Sequence, residues 1–550
     1  MQHPMTHRGF SAPHYDAIII GGGITGASIA YELSLKGASV ALLEKSDFGS
    51  GTSAATSKLI HGGLRYLKNL EIGLVRESLK ERRYLSDIAP NFVRPIPFML
   101  PFYSLKDQLM LKAGMEAYDY LSYDKKNTKL KENALPNYQT LSRRKTIIRE
   151  KTILEEGLLG SYVYYDCQNA YAERLTLAFI KSAMFHGAEV CNYCKVTDFK
   201  VINNTVKGIE GIDLIHNKKV QLNGTVIINC AGAWTDSILQ LENSPKRPST
   251  PLRSEGIHIV TPSLGNKHAV ALVTPKGRHI MLLPWRGHTI IGTTDKPYRG
   301  KVEDWKVTQE SIDELISEVN TCYGSDILKK EDVTYYYGGL RPLVDQTTEN
   351  TYNQSRKHEI LDHSSEGFKN LWTVEGGKYT TSRHLAELLG EKISSLISLN
   401  KKPEQTAKQP LFGCGILQIE NYKKYLMEEF PKASHQQIDT LVNMYGDEAK
   451  EILESHFNSI TETLSDEGEV VAQIYYAIDH EMAFTLEDLF LRRTGLGTLH
   501  QPSEALIQKI SLILKKKLNY SDEQLIQQKE NLLNHYQLIR NLDKRNENIA

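Results

Sequence analysis

Residues 15–44 constrain the fold more than any other stretch of this chain. Tyr15–Ile20 (YDAIII) is a nearly unbroken apolar run, the pattern of a strand buried on both faces of a parallel sheet. Gly21-Gly22-Gly23-Ile24-Thr25-Gly26 follows at once and carries the G-x-G-x-x-G spacing. Ala27–Lys36 then places Ile29, Ala30 and Leu33 at helical intervals, Gly37 stops the helix, and apolar Ser39–Leu43 leads to Glu44. This is a complete βαβ unit. Gly21 allows the tight turn, Gly23 lets the backbone approach a pyrophosphate, and Gly26 lets the helix pack closely. The helix N-terminus offers free N–H groups to the anion. Glu44 stands where an acidic side chain takes ribose hydroxyls. The unit predicts an α/β fold that binds a dinucleotide.

Composition removes several alternatives. Lys plus Arg equals 66 and Asp plus Glu equals 66, so there is no chain-wide basic field and no nucleic-acid partner is expected. Six cysteines among 550 residues are too few for a disulfide scaffold and suit a reducing compartment. Cys191-x-x-Cys194 has no second pair at zinc spacing and does not open a helix after a strand, so neither a metal nor a redox centre is expected. No apolar run is long enough for a spanning helix. Residues 1–14 lack the apolar core of a targeting peptide and read as a disordered lead.

The glycine turn alone does not choose between NAD and FAD. The next segment is long and polar, Asp47–Arg65 (DFGSGTSAATSKLIHGGLR), and supplies small side chains and backbone donors beside a cofactor. Ser57-Lys58-Leu59-Ile60-His61-Gly62-Gly63-Leu64-Arg65-Tyr66-Leu67 closely resembles a signature of the FAD-dependent glycerol-3-phosphate dehydrogenases. Further similarities follow in order: Asn229–Trp234 (NCAGAW), Gly256–Val260 (GIHIV), Ile291–Asp295 (IGTTD), Gly338–Leu343 (GGLRPL) and Gly376–Thr381 (GGKYTT). The fourth of these has Gly338 where the family usually has Ser. The resemblance is to the bacterial respiratory type, since no EF-hand calcium loop of the mitochondrial kind occurs.

The resemblance implies an α/β (α+β) fold. Its FAD-binding Rossmann-like domain would be of the glutathione-reductase/D-amino-acid-oxidase type, with a mostly antiparallel substrate-binding sheet and a C-terminal helical domain. The oxidoreductase region is expected over 15–400, with a discontinuous FAD-binding part at about 15–95, 155–235 and 360–395. The substrate-binding part takes about 96–154 and 236–359, a linker 401–410, and the helical domain 411–550. Asp304–Cys322 has a helix pattern, and Ser521–Gln524 a capping box.

The expected cofactor is noncovalent FAD. The residues expected around it are Gly21, Gly23, Ile24, Thr25, Gly26, Glu44, Lys45, Thr52, Ser53, Ser57, Lys58, Leu59, His61, Gly62, Gly63, Ala231, Gly232, Gly377, Lys378 and Thr380. The resemblance places Arg65, Tyr66, His258, Arg341 and Lys378 around sn-glycerol 3-phosphate. Three of them, Arg65, Arg341 and Lys378, follow closely on paired glycines, which permit unusual backbone angles and close ligand approach. Oxidation of a secondary alcohol also needs a proton acceptor. His258 is the candidate base, His61 the competitor expected nearer the flavin, and Arg341 a stabiliser of a developing alkoxide. Thr293, Thr381 and Asp295 are weaker candidates. The resemblance further implies a membrane quinone as electron acceptor and peripheral contact with an anionic membrane at its cytoplasmic face, or a cytoplasmic location, with a homodimer possible. Phe98–Tyr123 and the nearby Lys125, Lys126, Lys129 and Lys131 are the candidate contact. The alternatives are an oxidase delivering electrons to oxygen, with peroxide as product, and a noncatalytic FAD-binding protein.

Overall fold

A computed structural model describes residues 8–245, 252–274, 277–343, 358–399, 405–455 and 462–539. The βαβ unit forms as its pattern dictates. Tyr15–Ile20 pairs in parallel with Val40–Leu43 on one side and with Lys218–Asn229 on the other. Glu189–Cys191 and Leu371–Gly376 extend the parallel core, and His358–Asp362 adds an antiparallel edge. The helices Ile24–Leu35, Ala172–Phe185 and Ser382–Ile393 bury apolar faces in the same core as these strands. Helix and turn meet very closely: a Cβ on Gly26 would lie 1.9 Å from the Gly21 carbonyl oxygen, so only glycine fits. Lys218–Asn229 runs on into an antiparallel layer with Thr205–Asp213 and Cys194–Ile202.

The second sheet has ten strands and is antiparallel except where Ala269–Val273 meets Val93–Phe102. Arg253–Pro262 lies between His288–Gly292 and Tyr335–Pro342. Helix Gln309–Tyr323 covers one face of this sheet. C-terminal helices Val471–His480, Glu504–Leu518 and Asp522–Asn534 share a core with the other face. The remaining C-terminal helices build their own core around Leu441, Tyr445 and Ile452.

Four details differ from the sequence reading. Gly160–Asn169, expected in the FAD-binding part, pairs along its whole length with Val93–Phe102 and belongs to the second sheet. Its side chains are buried on both faces, so its apolar pattern does not say which sheet it joins. Residues 8–14 of the supposed lead are anchored: Arg8 bonds Asp213 at 2.8 Å, and the Ser11 N–H donates to Glu189 at 2.7 Å. Residues 1–7 lie outside the described residues. The helix expected from Asp304 begins at Gln309, because the Thr308 hydroxyl caps it by accepting the Ser311 N–H at 3.2 Å. Within the expected linker, of which 401–404 are not described, Thr406 is buried and bonds Glu32 at 2.8 Å. The Ser521–Gln524 capping box forms with both reciprocal bonds. Among the described residues no helix is long and apolar enough to cross a membrane, and no cluster of side chains is arranged to hold a metal ion.

Candidate functional site

The two sheets enclose a cavity of about 2240 Å³. Its wall runs from the glycine turn, past Glu44 and the polar segment, to Arg65, Tyr66, Arg341 and Lys378. Seventeen of the twenty residues expected around FAD line it: Gly21, Gly23, Ile24, Thr25, Glu44, Lys45, Thr52, Ser53, Ser57, Leu59, His61, Gly63, Ala231, Gly232, Gly377, Lys378 and Thr380. Gly26, Lys58 and Gly62 are not. Gly26 serves helix packing. Lys58 turns away and its ammonium meets Glu173 at 2.5 Å and the Ala54 carbonyl at 3.1 Å.

The adenosine end has the donor set a dinucleotide requires. Glu44 accepts the Gly22 N–H at 2.7 Å through one oxygen and the Ser46 N–H at 2.8 Å through the other. Burial pushes its carboxyl pKa up, and those two N–H donors pull against the shift. Each oxygen keeps acceptor capacity for a ribose hydroxyl. The residues present therefore fit FAD: Gly21–Gly26 would hold its pyrophosphate and Glu44 its ribose.

At the other end three groups cluster. The Arg65 guanidinium lies 4.9 Å from the Tyr66 ring centroid and the Lys378 ammonium 4.1 Å from it. Lys378 Nζ also donates to the Ser78 hydroxyl at 3.0 Å. Burial lowers the Lys378 pKa to about 8, and Arg65 adds to the lowering while Tyr66 and Glu77 oppose it. His279, at the start of the 279–285 strand, is on the same wall, and after burial Arg65 and Lys68 are what lower its pKa.

Arg341 comes from the second sheet. Its guanidinium donates to the Thr293 hydroxyl at 2.6 Å, reaches the Ser254 hydroxyl at 3.3 Å and lies 3.6 Å from Asp295. It crosses the neighbouring strand directly over Gly256, where a Cβ would come within 2.0 Å of Nη2. Gly256→Ala must therefore displace the guanidinium while leaving the fold nearly intact, because the obstacle is the far end of a flexible side chain. We expect kcat/KM to fall about tenfold or more, equivalent to about 1.4 kcal/mol of lost transition-state binding. The melting temperature should barely move. Unchanged steady-state kinetics would show that the position of Arg341 is not set by Gly256.

The two histidines occupy different environments. His61 faces the cavity. Its backbone N–H donates to Thr380 Oγ1 at 3.4 Å, and the adjacent Gly62 N–H donates to the Tyr118 hydroxyl at 3.0 Å and to Asp166 at 3.3 Å. Asp166 is buried, accepts the Tyr118 O–H at 2.7 Å and pairs with Arg82. Burial lowers the His61 pKa to about 4. Lys378 and Arg65 reinforce that shift, and Asp166 opposes it. His258 is wholly buried and is not on the cavity wall. Its Nε2 is 2.8 Å from the Ser57 hydroxyl, its ring stacks on Tyr337 at 4.8 Å, and its Nδ1 has no partner among the described residues. Burial, with Arg341 and Lys58 nearby, holds its pKa well below the usual value. Asp295 accepts the Ser254 hydroxyl at 2.9 Å and so helps to frame Arg341.

The paired glycines divide by role. Gly63, Gly376 and Gly377 have positive φ, as expected before a sharp turn toward a ligand. Gly338 and Gly339 sit in a regular strand, and Gly339 instead makes room for Ala55, whose Cβ would lie 2.8 Å from an added Cβ. Sequence reasoning missed Asp166, Tyr118, Ser78 and His279. None lies in a recognisable motif.

Comparison with known proteins finds relatives over most of the chain. The family model described as FAD dependent oxidoreductase matches residues 16–391, and that described as the C-terminal domain of alpha-glycerophosphate oxidase matches 404–525. A glycerol-3-phosphate dehydrogenase of Synechocystis is 34% identical over 88% of this chain and 89% of its own length. An aerobic glycerol-3-phosphate dehydrogenase of Staphylococcus haemolyticus is 32% identical over 93% of this chain and 92% of its own. The solved structure of the glycerol-3-phosphate dehydrogenase from Bacillus halodurans complexed with FAD superposes with a TM-score of 0.75 at 25% identity, covering 96% of this chain and 95% of that one.

Proposed function

The chain belongs to the FAD-dependent glycerol-3-phosphate dehydrogenases of the FAD dependent oxidoreductase family, and from that membership we propose that it oxidises sn-glycerol 3-phosphate to dihydroxyacetone phosphate and passes the electrons to a membrane quinone. The observation that carries this reading is the shared cavity. One wall bears the dinucleotide turn, and the same space meets Arg65, Lys378 and Arg341.

FAD, when bound, supplies the acceptor for the hydride that leaves carbon 2 of the substrate. The protein's own residues do the rest. Arg65 and Lys378 hold the phosphate, the one through a planar fork and the other as a point charge. Arg341, permanently cationic, stabilises negative charge on the carbon-2 oxygen. A ring nitrogen of His61 takes the hydroxyl proton as the ketone forms. His61 is preferred over His258 for this role because it faces the cavity, and its low pKa keeps it unprotonated at neutral pH. His258 is then a positioning residue that holds the Ser57 hydroxyl.

The pH dependence follows from these groups. In the free enzyme Lys378 loses its proton as pH rises through about 8. A neutral amine binds phosphate poorly, so kcat/KM should fall above that pH. Lys378→Arg should move this alkaline limb upward, because a guanidinium stays charged. An alkaline limb unchanged in that variant would detach it from Lys378.

Contact with an anionic membrane is proposed through helix Leu105–Leu121. Leu105, Leu109, Met110 and Tyr120 are each more than half exposed, and Met110 and Tyr120 also reach the cavity. Such a face suits the acyl boundary of a bilayer. Lys125 does not join it, being buried against Asp119, and Lys129 bonds the Lys408 carbonyl at 2.8 Å. Lys126 and Lys131 remain exposed.

The deciding experiment mixes the flavin-loaded protein anaerobically with sn-glycerol 3-phosphate, follows the flavin absorbance near ~450 nm, then admits quinone or oxygen separately. Rapid bleaching, reversed quickly by quinone and slowly by oxygen, is expected. Fast reversal by oxygen would make the chain an oxidase. A flavin that never bleaches would leave only a cofactor-binding protein. Cosedimentation with anionic vesicles tests the membrane contact, and protein that stays in the supernatant removes it.

A further inference from the structure

Asp47 lies just beyond the second strand of the βαβ unit and is completely buried. Four bonds converge on its carboxylate. Arg493 donates to both oxygens, at 2.7 and 2.8 Å; Arg492 Nε donates at 2.6 Å; and the Asn192 amide donates at 3.1 Å. Both arginines belong to a π-helical turn, Asp488–Arg493, in the C-terminal region. The joint is fixed from behind as well. Arg493 donates to the Glu481 carbonyl at 2.8 Å, Asn192 to the Met482 carbonyl at 2.9 Å, and the Tyr193 hydroxyl to Asp488 at 2.6 Å.

Asp47 is only two residues from direct contact with the glycine turn. The Gly49 N–H donates to the Gly22 carbonyl at 3.0 Å, and the Phe48 ring fills the space where a side chain on Gly22 would stand. Ser53, a little further on, accepts the Ile24 N–H at 2.9 Å. These contacts fix the segment that lines the cofactor end of the cavity. Arg492 itself also reaches the cavity wall.

We propose that the C-terminal helical region completes the cofactor site, with Arg492 and Arg493 as positioning residues that hold Asp47 and thereby press the 47–53 segment onto the dinucleotide-binding turn. This gives the region a task within the oxidoreductase core beyond packing on the second sheet. A buried carboxylate stripped of one guanidinium draws in water or shifts toward the remaining partner. Either response moves Phe48 and Gly49, and the turn loses its backing.

The proposal rests on FAD occupying the cavity, and its test reads flavin retention rather than turnover. The rate of flavin release from purified holoenzyme is followed by the rise in free-flavin fluorescence. Arg493→Met and Asp47→Asn should each release flavin at least tenfold faster than wild type, with Arg493→Lys in between. Lys181→Met is the control. Lys181 pairs with Glu448 at 2.7 Å and Glu481 at 2.6 Å, in the same domain contact but with no bond to Asp47. It should lower the melting temperature yet keep release within twofold of wild type. The proposal is overturned if Arg493→Met and Asp47→Asn release flavin at the wild-type rate, or if Lys181→Met releases it as fast as they do. Should Arg493→Met fail to fold, Arg492→Lys carries the same test, since it keeps the charge and loses the Nε contact; wild-type release in that variant overturns the proposal. A wild-type chain that holds no flavin at all would instead overturn the cofactor reading beneath it.

Discussion

His61→Ala slows flavin reduction by a factor of about 10²–10⁴, the usual contribution of a positioned base, while FAD stays bound. The ring faces the cavity, and its burial, reinforced by Lys378 and Arg65, keeps it neutral down to about pH 4. Above that pH it is always able to accept a proton, so the acid limb of kcat/KM should lie near 4 rather than near 6.5. A base with so low a pKa gains little on its own. Its advantage comes from an alkoxide that loses negative charge as the hydride departs, so that only a modest pull is needed. The measurement is single-turnover reduction in a stopped-flow instrument, with His258→Ala run in parallel. Loss of 10²–10⁴ in His258→Ala, and near wild-type reduction in His61→Ala, would transfer the role to His258. That result would require the ring to leave its place behind Ser57 when substrate binds.

Arg341→Ala raises KM for sn-glycerol 3-phosphate and lowers the reduction rate together, with kcat/KM down by roughly 10²-fold or more. Truncating one partner of a desolvated charge pair costs about 2–5 kcal/mol. Arg341 differs from Arg65 and Lys378 in its setting. Thr293, Ser254, the Thr294 carbonyl and Asp295 hold its guanidinium before any substrate arrives, so little ordering is left for binding to supply. Arg341→Lys should recover only part of the loss, because an ammonium cannot reproduce the fork that spans these partners. If KM and the reduction rate both stay at wild type, Arg341 is a structural arginine and the alkoxide must be stabilised elsewhere.

The cofactor half of the site was legible in the sequence because it is local. A strand, a glycine turn, a helix and an acid within thirty residues can form only one kind of structure. The ordered motifs singled out Arg65, Arg341 and Lys378, and all three line one cavity. What the sequence hid was long-range covering. His258 shares its strand with Gly256, which touches Arg341, so strand parity places both on the same face. It is the 52–57 segment folding over that face, with Ser57 against the imidazole and Ala55 against Gly339, that closes His258 off. Gly160–Asn169 was misplaced for a related reason. A strand buried on both faces carries no mark of which sheet buries it. Asp166 rides on that strand and accepts the Gly62 N–H beside His61, a relation no motif encodes. The C-terminal arginines were invisible as partners of Asp47, since nothing in either segment names the other.

Asp47 and Arg493 stand 446 residues apart. Synthesis at about 5–20 residues per second leaves roughly 20–90 seconds between their appearance. The strand Leu371–Gly376, which pairs with Lys218–Asn229 in the first sheet, also arrives late. A nascent chain therefore carries its nucleotide turn long before it has the sheet edge and the arginines that steady it. Contacts this remote form slowly and leave unpaired strand edges open meanwhile. The 47–53 segment therefore gains its backing only near the end of synthesis, when the turn that carries Arg492 and Arg493 has been made.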